Sequence, residues 1–517
     1  MSATLSEPTS RPTSELAPFA RGPVLAIAGA MGLLMLLTIG RYGYFGDELY
    51  FITAGKHLDW GYADQPPLIP LIAAGMDSMF PGSLVALRLP SVLITACGAV
   101  ITALLARELG GKRGAQVVAV TASASSPFLL ACAGHWMATQ MLDPFLWTLL
   151  TWLVVRWVRT RQDNILLLAG LVTAVAVQVK MLIPVFWIMI VLAVLILGPR
   201  QLLGRPKLRF AGALTLLSAL PTLIWQTANG WPQLEMQKAI SYEQFLAGGD
   251  YFFVPAVLVM LGLLSGAVLA CYGLWRLLSA PEMRAYRFLG FAALGVLVFV
   301  LVSQGRPYYI AGLFALCWAV GAVELRREGE KPRWRRWWSW SVSWPAWALS
   351  ALFAISFLPL NPVTVQDDQP LYNPINLPEA ETGWPEVAED AARAYARLTP
   401  AQRANTALLT GSYWQASALD FYGPSVGLRD VQVYSPHRGY WFFGKPPEDT
   451  KAVLFVGGHS EYLNDFFGTV RKAGTIRNSV QVDNTKLGAT IFYAEQPRAD
   501  WDTLWPRMHL YNFMPEE

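Results

Sequence analysis

A chain of 517 residues is long enough for three soluble domains, but 54% of it is hydrophobic and only 15% charged. Apolar runs of about 18 residues or more recur along it, the length needed to cross a hydrocarbon core. These proportions exclude an ordinary soluble protein, and a formal net charge of +4 gives no footprint for a nucleic-acid partner, so none is expected.

The opening twenty residues are rich in Ser, Thr, Pro and Ala and read as a disordered tail, residues 1–22, held in the cytoplasm by Arg11 and Arg21. No small-residue cleavage site closes the first apolar run, so it reads as an uncleaved signal anchor. About eleven apolar spans are expected, near 23–40, 87–106, 116–134, 138–155, 164–180, 182–198, 208–227, 253–277, 286–303, 307–324 and 341–360. Alternate connections are rich in Lys and Arg: Arg107, Lys112 and Arg113; Arg156, Arg159 and Arg161; Arg200 to Arg209; Arg276 to Arg287; and the run Arg326 to Arg336. The opposite connections hold few, which by the positive-inside rule puts the amino terminus in the cytoplasm and everything after residue 360 outside a plasma (inner) membrane. Tryptophans near 334–347 suit an interfacial belt.

The first outer loop, residues 41–86, carries Asp47, Glu48, Lys56, His57, Asp59, Asp64 and Asp77 among aromatic residues. It has the character of short amphipathic helices lying on the outer surface. The loop at 228–252, with Asn229-Gly230-Trp231-Pro232, Glu235, Tyr242 and Glu243, reads as an anchored connector or a lid. After residue 360 strand-like runs (406–410, 452–456, 489–493) alternate with helix-like runs (385–398, 413–421, 461–467), the pattern of a small α/β domain with a mostly parallel sheet. The expected fold is thus a polytopic α-helical membrane protein, residues 23–360, with an extracytoplasmic α/β domain, residues 361–517. The four cysteines lie in apolar segments at unrelated spacings and read as small core residues.

Charges within or beside membrane spans cost about 2.5–3.5 kcal/mol each, so their presence needs a reason. Asp47 and Glu48 follow the first span; adjacent helical residues point about 100° apart, so one can face a site while the other turns to backbone or solvent. Asp143 opens the fourth span, Lys180 sits at an outer hairpin tip, and Arg306 stands in Arg306-Pro307-Tyr308-Tyr309. The plain alternatives are acids favoured at helix starts, a cap at Asp143 paired to Arg88, and cations snorkelling to headgroups. Taken together these groups suit sugar transfer from a polyprenyl phosphate. A base deprotonates an acceptor hydroxyl, worth about 10²–10⁴-fold in rate, and a cation holds the departing phosphate. The leaving group carries its charge on phosphate oxygens, so no obligatory cofactor is expected. No two histidines have metal-ligand spacing, and a divalent metal has no support from the sequence. His57 and His135 on the outer side suit acceptor binding or satisfied interfacial positions. Tyr413-Trp414 and Tyr440-Trp441-Phe442 suit sugar stacking or contacts with the membrane part.

Asp47-Glu48, the stretch Gly61-Tyr62-Ala63-Asp64-Gln65-Pro66-Pro67-Leu68, Asp143-Pro144 and Arg306-Pro307-Tyr308-Tyr309 jointly resemble the polyprenyl-phosphate-sugar glycosyltransferases. These are glycosyltransferase family 39 and the lipid A aminoarabinose transferase relatives, with the C-type glycosyltransferase membrane fold, and the resemblance covers residues 23–360. It implies that Asp47 is the catalytic base, with Glu48 supporting and Asp143 a second acid. It implies a donor phosphate site at Arg306 and Lys180, with Tyr308, Tyr309 and Gln65. Gln65 departs from the Lys or His that many relatives carry before the paired prolines, which shifts charge neutralisation to Arg306 and Lys180. His57, Asp64, His135 and Glu235 are the acceptor or lid candidates. The expected partners are a polyprenyl-phosphate sugar, membrane lipid and a cell-envelope acceptor. Two rival readings are a lipid-linked-sugar flippase and a non-catalytic lipid-sugar binding subunit.

Overall fold

The computed structural model describes residues 16–327, 339–360, 377–479 and 486–513. The tail up to residue 15, most of the basic run Arg326–Arg336 and the proline-rich stretch 361–376 lie outside the described residues. Helices dominate residues 21–355. They are α1 (Arg21–Thr38), α2 (Gly46–Lys56), α3 (Leu68–Met79), α4 (Leu84–Glu108), α5 (Arg113–Ala124), α6 (Thr139–Thr160), α7 (Asn164–Val177), α8 (Ile183–Ile196), α9 (Pro206–Ala228), α10 (Pro232–Leu246), α11 (Asp250–Met260), α12 (Ser265–Ser279), α13 (Arg287–Val302) and α14 (Phe314–Arg326), then Trp344–Ile355.

Among the described residues, five helical stretches are long and apolar enough to cross a membrane: α1, α4, α6, α9 and the continuous segment Pro307–Arg326. The chain is an integral membrane protein with further, shorter apolar helices at α7, α8, α13 and Trp344–Ile355. Two expected spans are not single helices. The 253–277 run is α11 and α12, bent by 107°, with Gly262 at φ +87° in the break and Ser126 Oγ donating to the freed Met260 carbonyl at 2.6 Å. The 116–134 run is α5 followed by a π-helical turn, Leu129–Ala133. Non-helical backbone at this depth survives only where protein satisfies its polar groups. Here Glu48 accepts the Met137 N–H at 2.9 Å, and the Trp136 carbonyl accepts from Ser91 Oγ at 2.9 Å.

The 41–86 loop forms two short helices, α2 and α3, but α2 is not the amphipathic surface helix expected: Glu48 to Ala54 are all buried, because the α/β domain packs over it. Asn229-Gly230-Trp231-Pro232 turns the chain from α9 into α10: Gly230 and Trp231 take positive φ (75° and 61°), and Pro232 starts the helix, where its missing N–H costs nothing.

Residues 377–513 hold a five-stranded sheet, β1 (Thr406–Thr410), β2 (Val433–Tyr434), β3 (Ala452–Val456), β4 (Phe467–Thr475) and β5 (Thr490–Pro497), in the order β2-β1-β3-β5-β4. The β1–β2 and β1–β3 pairs are parallel, while β5 runs antiparallel to both β3 and β4. The sheet is therefore mixed rather than mostly parallel. The helix expected to reach residue 467 stops at Asn464, and Phe467 instead opens β4. Helices Trp384–Ala396 and Tyr413–Tyr422 pack between this sheet and the membrane part, the second against α2.

Candidate active site

A cavity of about 510 Å³ lies where α2, the hairpin tip between α7 and α8, α10, the Arg306–Tyr309 segment and the α/β domain meet. Asp47, Asp64, Gln65, Lys180, Arg306, Tyr308 and Tyr309 all line it. Seven side chains drawn from residues 47 to 309 thus converge on one space.

Asp47 is the second residue of α2 and faces the cavity, while Glu48, about 100° further round, turns away. Glu48 is fully buried. It accepts from the Phe45 N–H (2.8 Å) at the start of α2, from the Met137 N–H (2.9 Å), and pairs with Arg88 Nη2 at 2.8 Å. Arg88 also donates to the carbonyls of Ile39 and Gly43 and stands 3.5 Å from Glu381, at the start of the α/β domain. Burial alone would raise the Glu381 carboxyl; Arg88 and His135 overcome it and hold it below its ordinary range. His135 lies in this knot, 3.1 Å from Glu381 Oε1, and not in the cavity. Glu48 and His135 therefore fasten α2, α4 and the 134–138 segment behind the site.

Asp47 Oδ1 accepts two hydrogen bonds of 2.7 Å, from Tyr413 Oη and Trp414 Nε1 of the α/β domain. Burial and the neighbouring Asp47 charge push the Tyr413 phenol well above its ordinary value, so it stays a donor. Asp64 accepts from Tyr50 Oη at 2.9 Å, and burial pushes its carboxyl up to about 6. Gln65 is buried, and its Nε2 has no hydrogen-bond partner among the described residues.

Lys180 Nζ sits 3.5 Å from the Tyr309 ring centre and 4.8 Å from that of Tyr308. It forms no ion pair with a described residue. Burial lowers it to about 8, with Asp143 opposing that shift and Arg306 adding to it. Arg306 Nη2 reaches Glu243 Oε2 at 2.8 Å. Asp143 is buried within interaction range of Lys180 but does not line the cavity, and its Oδ1 has no partner among the described residues. It is placed to act on Lys180 rather than on a bound molecule. His57 stacks on Phe443 outside the cavity (4.7 Å, 8° between planes), and Glu235 pairs with Lys238 at the exposed face of α10. Neither reaches the site. Among the described residues no group of three or more His, Cys, Asp or Glu is arranged to hold a metal.

Residues 64–225 match the family model for dolichyl-phosphate-mannose-protein mannosyltransferases. The structure is similar to that of ArnT from Cupriavidus metallidurans, solved both in the apo state and bound to undecaprenyl phosphate. The TM-score is 0.59 at 14% identity, over 92% of this chain and 98% of that one. The chain has the C-type glycosyltransferase fold. A mycobacterial arabinofuranosyltransferase, AftD, is also similar, with a TM-score of 0.51 at 13% identity over 93% of this chain and 40% of that one. No curated protein matches the sequence.

The resemblance read from four sequence motifs is thus borne out. Within this C-type glycosyltransferase fold, several lining residues escaped assignment from sequence: Glu243 on α10, Arg438 and Phe513 in the α/β domain, and Thr139 and Gln140 at the start of α6. Of the two readings of Tyr413-Trp414, contact with the membrane part is the one the structure shows, although their hydrogen bonds to Asp47 had no signal along the chain.

Proposed function

We propose that the protein is a membrane glycosyltransferase that moves a monosaccharide from a polyprenyl-phosphate donor to a hydroxyl of a cell-envelope glycan, lipid or protein. Asp47 takes the proton of the acceptor hydroxyl as that oxygen attacks the anomeric carbon. The bond between that carbon and the phosphate oxygen breaks, and the electron pair leaves with the polyprenyl phosphate. Attack opposite the leaving group inverts the anomeric centre. Lys180 and Arg306 hold the phosphate, Gln65 offers it a neutral donor, and Tyr308 and Tyr309 wall the first isoprene units. In this reading the site opens to the extracytoplasmic side, about eleven spans carry it, and the α/β domain covers it from outside.

One observation supports this most directly: a carboxylate held by two donors and a lysine that makes no ion pair with a described residue line the same cavity. A base and a phosphate-binding cation in one cavity is what the transfer requires. The similarity to ArnT, solved with undecaprenyl phosphate bound, favours the same donor class. The test is transfer from a polyprenyl-phosphate sugar by purified protein in nanodiscs. Asp47→Asn is expected to lower turnover by about 10²–10⁴-fold with donor affinity within a few-fold of wild type. Undiminished turnover would remove Asp47 from its role, and movement of intact donor across vesicles without sugar release would favour a flippase.

A further inference from the structure

Glu243 is shared by two cations from different parts of the molecule. Arg306 Nη2 pairs with Oε2 at 2.8 Å, and Arg438 Nη2, from the α/β domain, pairs with Oε1. All three line the cavity that holds Asp47 and Lys180. Two guanidinium groups share one carboxylate, which leaves a positive charge only partly covered on this wall. Glu243 is carried by α10, which is bounded by turns with positive φ: Trp231 (φ +61°) precedes it, and Gly248 and Gly249 (φ +101° and +56°) follow Ala247 at its end. Its outward residues Leu234, Phe245 and Leu246 are 60–68% exposed, so little protein packs over it.

Resting on the donor reading above, we propose that Glu243 stands in for the lipid phosphate. It neutralises Arg306 and Arg438 while the site is empty, gives way when the donor phosphate binds, and returns to displace the product. The charges explain the need. The donor is a phosphodiester with one negative charge, the same as Glu243. The product is a phosphomonoester of about −1.5 to −2 at neutral pH, which two guanidinium groups and Lys180 would hold far more tightly. A competing carboxylate weakens the product more than the donor and so keeps the enzyme turning over. Arg438 makes the α/β domain a part of the donor site.

The probes are farnesyl phosphate and its monomethyl ester, a monoester and a diester on the same chain, titrated into the full-length protein in nanodiscs at fixed ionic strength. Glu243→Gln is expected to bind farnesyl phosphate about tenfold tighter than wild type, with a smaller gain for the monomethyl ester. Glu243→Asp, which keeps the charge, stays near wild type and controls for disturbance of α10. Arg438→Gln weakens the monoester. Wild-type binding with Glu243→Gln no tighter than Glu243→Asp overturns the proposal and leaves the donor reading standing. Failure of every form to bind either probe overturns both.

Discussion

The contact between Asp47 and the α/β domain can be broken from a position that touches neither donor nor acceptor. Gly46 starts α2, and a Cβ added there would lie 2.5 Å from Trp414 Cγ and Cδ2 and 2.8 Å from Cδ1. The indole cannot retreat freely, because Phe45, Trp384 and Phe513 surround it with ring centres 5.4–6.3 Å away. Gly46→Ala therefore moves Trp414 off Asp47. Overpacking costs about 1–3 kcal/mol, and loss of a hydrogen bond to a charged group about 1.5–3 kcal/mol. The better helix propensity of alanine returns at most about 1 kcal/mol. The net loss is about 2–5 kcal/mol, felt at the junction between the two parts. With Asp47 held by Tyr413 alone, turnover is expected to fall on the order of 10²-fold, while polyprenyl-phosphate affinity, which the proposed function assigns to Lys180 and Arg306, holds. Thermal unfolding and transfer rates of Gly46→Ala, Trp414→Ala and the double variant form a cycle, and the two changes should be strongly non-additive. Gly46→Ala that is as stable and active as wild type would refute the reasoning. So would a loss of the same size in the Trp414→Ala background.

Glu48→Gln removes the nearer of two carboxylates on a fully buried Arg88, which keeps Glu381 at 3.5 Å, and should cost less than the about 3–5 kcal/mol of a buried ion left unpaired, read as a fall in unfolding temperature and folded yield; Asp47→Asn should leave both nearly unchanged. Asp64 has a folded pKa of about 6, above the ordinary 3.8, so its contribution to stability is full below pH 4 and disappears as pH rises through 6. Asp64→Asn should flatten the unfolding temperature of the protein between those limits, and an unchanged slope would count against burial as the cause. Lys180, lowered to about 8 in the empty site, should make farnesyl phosphate bind more weakly as pH rises through 8; Lys180→Gln should bind weakly at every pH, with that dependence gone.

How much of this was legible along the chain follows from what each signal measures. Hydropathy reports the cost of burying a segment in lipid, and it located most membrane helices. It is blind to interruptions whose backbone is satisfied by distant side chains, so it drew 253–277 and 116–134 as straight spans. β4 escaped because most of its residues are exposed on a sheet edge, where Arg471 and Lys472 leave little period-two pattern. Asp47, Lys180 and Arg306 were legible because a charge at a membrane boundary is expensive wherever it points. Which way it points was not legible. Glu48 is the cheaper of the two acids to bury only because Arg88, forty residues on, waits behind α2.

The same limit explains why the α/β domain's contact with the membrane part could be read at Tyr413-Trp414 while its residues in the site could not be assigned. Its contribution consists of Tyr413, Trp414 and Arg438, residue types common in any folded domain, and their meaning comes from docking. Three glycines make that docking close. A Cβ at Gly43 would strike the Glu381 carbonyl at 2.6 Å, one at Gly46 the Trp414 ring, and one at Gly439 the Tyr50 hydroxyl and Asp64. Each lies beside a carboxylate of the site or of the Arg88 knot behind it. A domain tethered only for stability has no reason to approach the ionisable groups so closely at three separate points. The fit makes it one wall of the cavity that Asp47 lines, and its removal would take both donors from Asp47 Oδ1.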